Sequence, residues 1–467
     1  MTDSRLAFIA KARGAIQDQQ LQEALDLATG RFLTLRRNAF RSLADPEGLR
    51  ERAKAIKQRT IRELDQHLER LTTEIQRAGG HIHFAADGRE CVDIILRLAK
   101  ERGVRSVVKS KSMASEEIHL NPALEGAGIT VVETDLGEWI IQLAKETPSH
   151  IIAPAIHKTA RQVAELFSAA VGEQLPPDPE ALTAAARREL RQKFFRADMG
   201  ISGANFAVAE TGTIVIVTNE GNGRLVTTLP RIHVAIMGME KVIPSLRDLM
   251  VFLQLLARSA TGQKMSVYTS LLQGPRRPGE TDGPEEVHLV IMDNGRSRQL
   301  GGALEESLNC LRCGACLNVC PVYKEVGGHT YDSTYPGPIG IILTSFLGHE
   351  PKNLSGASTL CGACLEVCPV NIDIPRMLLD LRHEAEQGRE LPRGERWSFK
   401  AAGLILRSPA LYRLAARLGR IFQRPFLHDG YLDRLPGPGA GWTRFRDLPP
   451  VAARPFHARW KELERES

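Results

Sequence analysis

Seven of the eight cysteines lie between Cys310 and Cys368, at the spacing of thiolate ligands to iron–sulfur clusters. The first group reads Cys310-Leu-Arg-Cys313-Gly-Ala-Cys316-Leu-Asn-Val-Cys320-Pro321. Two-residue gaps let three thiolates converge on one cluster, and Gly314 permits the tight turn between them. The three-residue gap before Cys320 sets that thiolate a helical turn away, where it reaches a second cluster. The second group, Cys361-Gly-Ala-Cys364-Leu-Glu-Val-Cys368-Pro369, repeats the first from its second cysteine onward. Crossed ligation assigns Cys310, Cys313, Cys316 and Cys368 to cluster one, and Cys320, Cys361 and Cys364 to cluster two.

Cluster two is one thiolate short, because Ser358 stands where a first cysteine would stand. The expectation is two [4Fe–4S] clusters, with three outcomes open for the second. It is a [4Fe–4S] cluster with a non-cysteine ligand, a [3Fe–4S] cluster, or a cubane with one open iron. Ser358 is the oxygen candidate by position, and the competing reading makes it a turn cap. His329 and His349 lie between the groups and read as surface or packing histidines. Zinc wants four ligands at tetrahedral spacing, usually as separated pairs, which these runs do not supply. Soft thiolates suit iron–sulfur chemistry, whose consequence is one-electron transfer between neighbouring clusters. The eighth cysteine, Cys91, sits in a helix-like stretch and reads as a small buried hydrophobe.

The elements that position these groups belong to a chain of 467 residues, long enough for about three domains. Residues 16–78 read as helix. Leu49, Ala53, Ile56, Thr60, Leu64, Leu68, Leu71 and Ile75 form one amphipathic stripe, expected to pack on the domain that follows. From 79 to 298, β-rich runs alternate with helical ones, which argues for an α/β domain with a mainly parallel sheet. Candidate strands are 106–110, 130–134, 150–154, 206–208, 213–218, 233–237, 266–269 and 287–292. Candidate helices are 137–146, 159–171, 179–196 and 244–257. The run 207–218 reads as a hairpin or sharp corner, and 273–284 as an exposed loop.

Polar islands fall at expected strand ends, where open α/β sheets bind ligands. Lys109, Lys111 and Arg224 could hold a carboxylate or phosphate, with Gly221 and Gly223 admitting backbone amides; the alternative is solvated turns. No dinucleotide fingerprint is present. The cysteine module spans 299–385, and 386–467 form an irregular C-terminal tail. There Pro409 interrupts a helical spacing over 401–422, and 435–441 are too rich in Gly and Pro for regular structure. Trp442, Phe445 and Trp460 suggest docking, onto the protein itself or a partner.

The net charge of +6 comes from 61 basic and 55 acidic side chains spread along the chain, and aromatic content is 5%. That pattern argues against a nucleic-acid surface. No segment approaches the roughly 20 apolar residues of a membrane span, and the N-terminus lacks the layout of a secretory signal. The expected location is the cytoplasm.

With these motifs in order, the chain resembles the lactate utilisation protein B family, the iron–sulfur subunit of an L-lactate oxidation system. The resemblance lies in Lys111-Ser-Met-Ala-Ser-Glu-Glu, Glu133-Thr-Asp-Leu-Gly-Glu, Pro148-Ser-His-Ile-Ile-Ala-Pro-Ala-Ile-His157 and Gly203-Ala-Asn-Phe-Ala-Val-Ala-Glu-Thr-Gly-Thr213. Asn219-Glu-Gly-Asn222, Leu229-Pro-Arg-Ile-His233 and both cysteine groups complete it. It implies a lactate-utilisation α/β domain (79–298) after a helical extension (1–78), then a two-cluster ferredoxin-like domain (299–385) and a family-specific tail (386–467). It also implies an oxidoreductase subunit, not catalytic alone, that works with two other lactate-utilisation proteins and an electron acceptor to convert L-lactate to pyruvate. In that family the second motif also has three cysteines and serves a [4Fe–4S] cluster. Readings from the residues that stay open are an electron carrier for another hydroxy acid such as glycolate or for a disulfide-reducing partner, and a redox-sensing metabolite-binding protein.

Overall fold

A computed structural model describes residues 3–347, 354–387, 393–443, 446–456, 459–460 and 463–464. His349 and Phe445 fall outside these residues.

The N-terminal region is four helices, not one: α1 (Asp3–Gln17), α2 (Gln19–Phe40), α3 (Pro46–Arg62) and α4 (Leu64–Arg77). Asp18 and Asp45 start α2 and α3 by accepting the amides of Leu21 and Gly48, at 3.1 and 2.9 Å. The apolar stripe is continuous in sequence but changes partner at Glu63, whose φ of −110° and ψ of 28° break the helix. Leu49, Ala53 and Ile56 pack with Cys313, Cys316 and Leu317. Leu64, Leu71 and Ile75 pack with Ile214, Met237 and Leu289 of the α/β region. The first half shares its core with Ile243, Phe252 and Leu255 of the α/β region as well, so both halves cover the following domain and the first also helps enclose the cysteines.

The α/β region contains β1 (His81–Ala85), β2 (Ser106–Lys109), β3 (Thr130–Glu133), β4 (Met199–Gly203) and β5 (Phe206–Val208). It continues with β6 (Thr213–Thr218), β7 (Ile232–Gly238), β8 (Val242–Ile243), β9 (Tyr268–Leu272) and β10 (Glu286–Met292). Six strands form a parallel sheet in the order β1-β10-β7-β4-β2-β3. A second sheet, β8-β5-β6-β9, contains the hairpin expected at 207–218. The expected helices appear as Leu136–Ala144, Ala160–Val171, Pro179–Arg196 and Leu246–Ala260. Cys91 is fully buried in the helix Gly88–Glu101.

Three strands have weak sequence signals. β4 carries two glycines, and a Cβ at Gly200 would meet the Val226 carbonyl at 1.9 Å, so close helix packing requires glycine there. β1 alternates histidines, and β8 is two residues long. Residues 150–154 are not the expected strand. The buried His150 ring takes the amides of Ile152 and Ala153 on Nδ1, both at 3.1 Å, and winds the segment around itself. The strand expected at 266–269 forms two to three residues later, as β9.

Thr2–Ala385 make one compact unit and Glu386–Ser467 another. In the second unit, Arg393–Arg407 and Pro409–Phe422 are helices. Pro409 opens the latter, with Ser408 as its cap, since proline suits the first helical turn. Beyond Phe422 come a two-strand pairing, Leu427–His428 with Tyr431–Leu432, and single turns. Trp460 packs tilted against Phe456, with ring centroids 5.5 Å apart. Among the described residues no helix is long and apolar enough to cross a membrane.

Candidate metal centre

Both cysteine groups sit on short helices entered through a left-handed glycine. Gly314 (φ 74°) precedes Ala315–Val319, and Gly362 (φ 84°) precedes Ala363–Glu366. At Gly314 a side chain is excluded twice: by φ, and by the His150 ring, which a Cβ would meet at 3.0 Å. His150 Nε2 in turn bonds Asn318 Oδ1 at 3.1 Å. Full burial, reinforced by the Lys111 charge, pushes that imidazole down to about 3, so it stays neutral.

Cys310, Cys313, Cys316 and Cys368 line one cavity with Ile339, Val370, Ile372 and Ile374. Cys320, Cys361 and Cys364 are not on its wall. The buried Cys364 thiol lies close enough to feel the charge of both Cys320 and Cys361, Cys320 feels that of Cys361, and Cys361 is exposed. Amides point at sulfur throughout: Arg312 to Cys310 at 3.4 Å, Tyr323 to Cys320 at 3.5 Å and Ile372 to Cys368 at 3.4 Å.

The donor set fits an iron–sulfur unit better than a single ion. Among the described residues no three cysteine sulfurs lie within 4.8 Å of one another. Sulfurs bonded to one zinc at about 2.3 Å could be no more than about 4.6 Å apart. Burial pushes the free thiols of Cys313 and Cys368 up to about 12 and about 11, so a bound metal centre is what would hold them as thiolates.

The N-terminal helices grip the second group by its backbone. Arg50 donates to the carbonyls of Cys368, Leu365 and Glu366 at 2.9, 3.2 and 2.9 Å. Arg36 donates to Val367 O at 2.9 Å and Lys54 to Asn371 O at 2.8 Å. These cations meet the carbonyls at and just beyond the C-terminal end of the short helix Ala363–Glu366. Sequence reading missed them, because nothing within α2 or α3 marks a contact more than 300 residues away.

Beside Cys310 lies a buried charge network. Glu240 accepts from Arg296 Nε at 2.7 Å and Arg312 Nη2 at 3.3 Å, and Arg296 also pairs with Glu117 at 2.9 Å. Burial alone would raise the Glu240 carboxyl; Arg296, Arg312 and the neighbouring lysines reverse this and hold it at about 2. Lys57 donates to the Glu240 carbonyl, and Lys241 to the Cys310 carbonyl at 3.4 Å. Four basic side chains, Lys57, Lys241, Arg296 and Arg312, thus face the carboxylates of Glu117 and Glu240, and burial pushes the ammonium groups of Lys57 and Lys241 down to about 7 and about 8. The negative charge of thiolate-ligated iron–sulfur would balance the surplus, a second respect in which the residues fit such a group.

A larger cavity, of about 400 Å³, opens at the carboxyl ends of β2, β4 and β7, and Leu311 and Arg312 belong to the walls of both cavities. The basic residues expected there divide. Lys109 is sealed in ion pairs with Glu133 and Glu116 at 2.7 and 2.9 Å and is not available to a ligand. Arg224 is exposed and lies over the Tyr268 ring, away from the wall. Lys111 is on the wall but bonded to Glu138 at 2.7 Å. Gly223 lines the cavity, whereas Gly221 does not. Of the intervening histidines, His329 packs edge-on against His157 and bonds the Thr147 carbonyl at 2.7 Å.

Fold and site together define an iron–sulfur protein that joins an α/β domain to a cysteine-rich module. Comparison agrees: residues 68–292 match the LUD domain, 306–372 the 4Fe-4S dicluster domain, and 380–465 the C-terminal region of lactate utilisation protein B. Lactate utilization protein B of Shouchella clausii is 43% identical over 462 residues, covering 98% of this chain and 97% of its own. That of Bacillus subtilis is 43% identical over 447 residues, covering 95% and 93%. A DUF162 family structure from Deinococcus radiodurans aligns with 49% of this chain and 98% of its own, at 12% identity and a TM-score of 0.27. The chain belongs to the lactate utilization protein B family.

Proposed function

We propose that this chain is the cytoplasmic electron-transfer subunit of a system that oxidises L-lactate to pyruvate. In this reading it holds two [4Fe–4S] clusters, one on Cys310, Cys313, Cys316 and Cys368, the other on Cys320, Cys361 and Cys364. The observation that carries it is the cavity whose wall gathers Cys368 with three cysteines of the first group. When bound, such clusters supply one-electron chemistry, with potentials set by charge, hydrogen bonds and exposure. The chain's own residues hold the thiolates with backbone amides, exclude water with Ile339, Ile372 and Ile374, and set cations beside Cys310. Residues 79–298 would serve as the lactate-utilisation domain and 299–385 as the electron-transfer domain, with 1–78 and 386–467 flanking them.

The relatives' name supports lactate as the source of electrons, and two further lactate-utilisation proteins and an electron acceptor complete the system. The test is anaerobic purification, a count of iron and sulfide, and EPR spectra before and after dithionite. About eight irons and a reduced signal from two interacting cubanes are expected. L-Lactate should produce that signal only when the partner proteins are present. Colourless, zinc-loaded protein would overturn the reading.

A further inference from the structure

The two cysteine groups share one backbone. Arg312 and Leu360 precede Cys313 and Cys361 with φ of 60° and 54°, and the glycines that follow are both left-handed. The amides of Leu317 and Leu365 donate to those glycines' carbonyls at 3.0 and 2.9 Å. The amides of Cys320 and Cys368 then donate to Leu317 and Leu365, each at 3.1 Å. In this frame Ser358 takes the place of Cys310, and one further bond matches. The Arg312 amide donates to Cys310 Sγ at 3.4 Å, and the Leu360 amide donates to Ser358 Oγ at 3.2 Å. A ligand sulfur accepting a backbone amide is how proteins orient and tune such clusters. The serine oxygen accepts the equivalent amide.

We propose that Ser358 Oγ is the fourth protein ligand of the second cluster, on the iron left by Cys320, Cys361 and Cys364. An Fe–O bond forms as the hydroxyl proton leaves to solvent, and no electron moves. The proposal rests on the two-cluster reading, and the experiment separates them. Full-length wild type, Ser358→Ala and Ser358→Cys are purified anaerobically and compared by iron count and EPR. Wild type and Ser358→Cys should each hold about eight irons. Ser358→Ala should hold about seven and show an oxidised [3Fe–4S] signal, with the first cluster as internal control. A Ser358→Ala protein with wild-type iron and spectra would overturn the proposal, as would a [3Fe–4S] signal in the wild type. Loss of iron from all three proteins would instead overturn the two-cluster reading.

The 400 Å³ cavity carries a second inference, on different residues. Lys57 and Arg296 are each 1% exposed and Arg312 is 8% exposed. Lys241 is partly exposed on the cavity wall, and its ammonium's hydrogen bond is the long one to the Cys310 carbonyl. Lys111 on the same wall is neutralised by Glu138. A desolvated ammonium without a carboxylate partner favours an anion. Asp135 and Glu220, also on the wall, oppose a second negative charge, while Ile151, Ile216, Val217 and Leu256 supply apolar surface. The volume lies in the usual range for organic ligands, roughly 300–1,000 Å³.

We infer that this cavity binds an organic monocarboxylate with an apolar body, its carboxylate against Lys241. Calorimetry on the cluster-loaded full chain, with octanoate, suberate, L-lactate and inorganic phosphate as probes, tests it. Octanoate should bind saturably and at least tenfold more tightly than the other three. Lys241→Met, and independently Val217→Phe to fill the space, should each weaken octanoate at least tenfold, with circular dichroism unchanged and, in Val217→Phe, cluster absorbance unchanged as well. Absence of saturable octanoate binding, suberate binding as well as octanoate, or an unaltered affinity in Lys241→Met would overturn it. Tighter binding of L-lactate than octanoate would overturn the apolar body.

Discussion

The two cysteine sites repeat one loop in different surroundings. Cys310, Cys313, Cys316 and Cys368 line one cavity, with apolar side chains around it and the Arg312–Glu240–Arg296 network at its edge. The second site has the exposed Cys361, and the Ser358 position in place of a thiolate. The lesson is that a motif sets the directions of its ligands, while the packing around it sets dielectric, charge and access. Those are the properties that fix a cluster's potential, so the two sites should differ electrically despite their matching backbones.

The largest effect breaks the comparison at its crossing point. Cys368 belongs to the second group in sequence but to the first cavity in space. Cys368→Ala should therefore abolish the first cluster's EPR signal, and Cys320→Ala the second's. Iron should fall from about eight toward about four in either variant. The reverse assignment of signals would mean that ligation is not crossed.

A smaller effect separates the two left-handed glycines. A Cβ at Gly362 meets nothing within 4 Å, so Gly362→Ala should cost only the left-handed strain, about 1–2 kcal/mol. Gly314→Ala adds the contacts with His150 and Ile152, at 3.0 and 3.2 Å, and should cost clearly more. Urea unfolding of both variants checks the order, and equal losses would mean that the His150 segment yields freely.

A pH effect contrasts the sheet with the cysteine sites. His233 bonds Ser202 at 2.8 Å, and His288 lies among His81, His83 and Glu286. Burial pushes both His233 and His288 down to about 4, from an ordinary 6.5. Unfolded chain takes up these protons near 6.5 and folded chain only near 4, so stability is full above 6.5 and is lost as pH falls through that window. The urea midpoint should drop between pH 6.5 and 4, and His288→Gln should flatten the drop. An unchanged slope in that variant would place the acid sensitivity elsewhere, with the cysteine sites the next region to test.

What could be read from residues alone was local. Cysteine spacing, the turn glycine at 314 and the 207–218 hairpin depend on a few neighbours, and sequence carries them directly. The strands β1, β4 and β8 were not legible, because histidines, glycines and a two-residue length hide a β pattern that long-range pairing enforces. Residues 150–154 look like a strand by composition, yet one imidazole accepting two amides bends them. The stripe from Leu49 to Ile75 was read correctly as apolar, but its two halves serve different cores because Glu63 breaks the helix.

The sequence by itself determined the identities and order of the cysteines, the chemistry they select and the family to which the chain belongs. Only the tertiary structure decided their surroundings. It brought Arg50 to the carbonyls of 365–368, set Lys241 and Arg312 beside Cys310, sealed Lys109 in ion pairs, and opened a cavity against the first site. The physical reason is range: ligand spacing is fixed within one loop, whereas charge balance and enclosure come from segments as much as 318 residues apart that meet only when the core is packed.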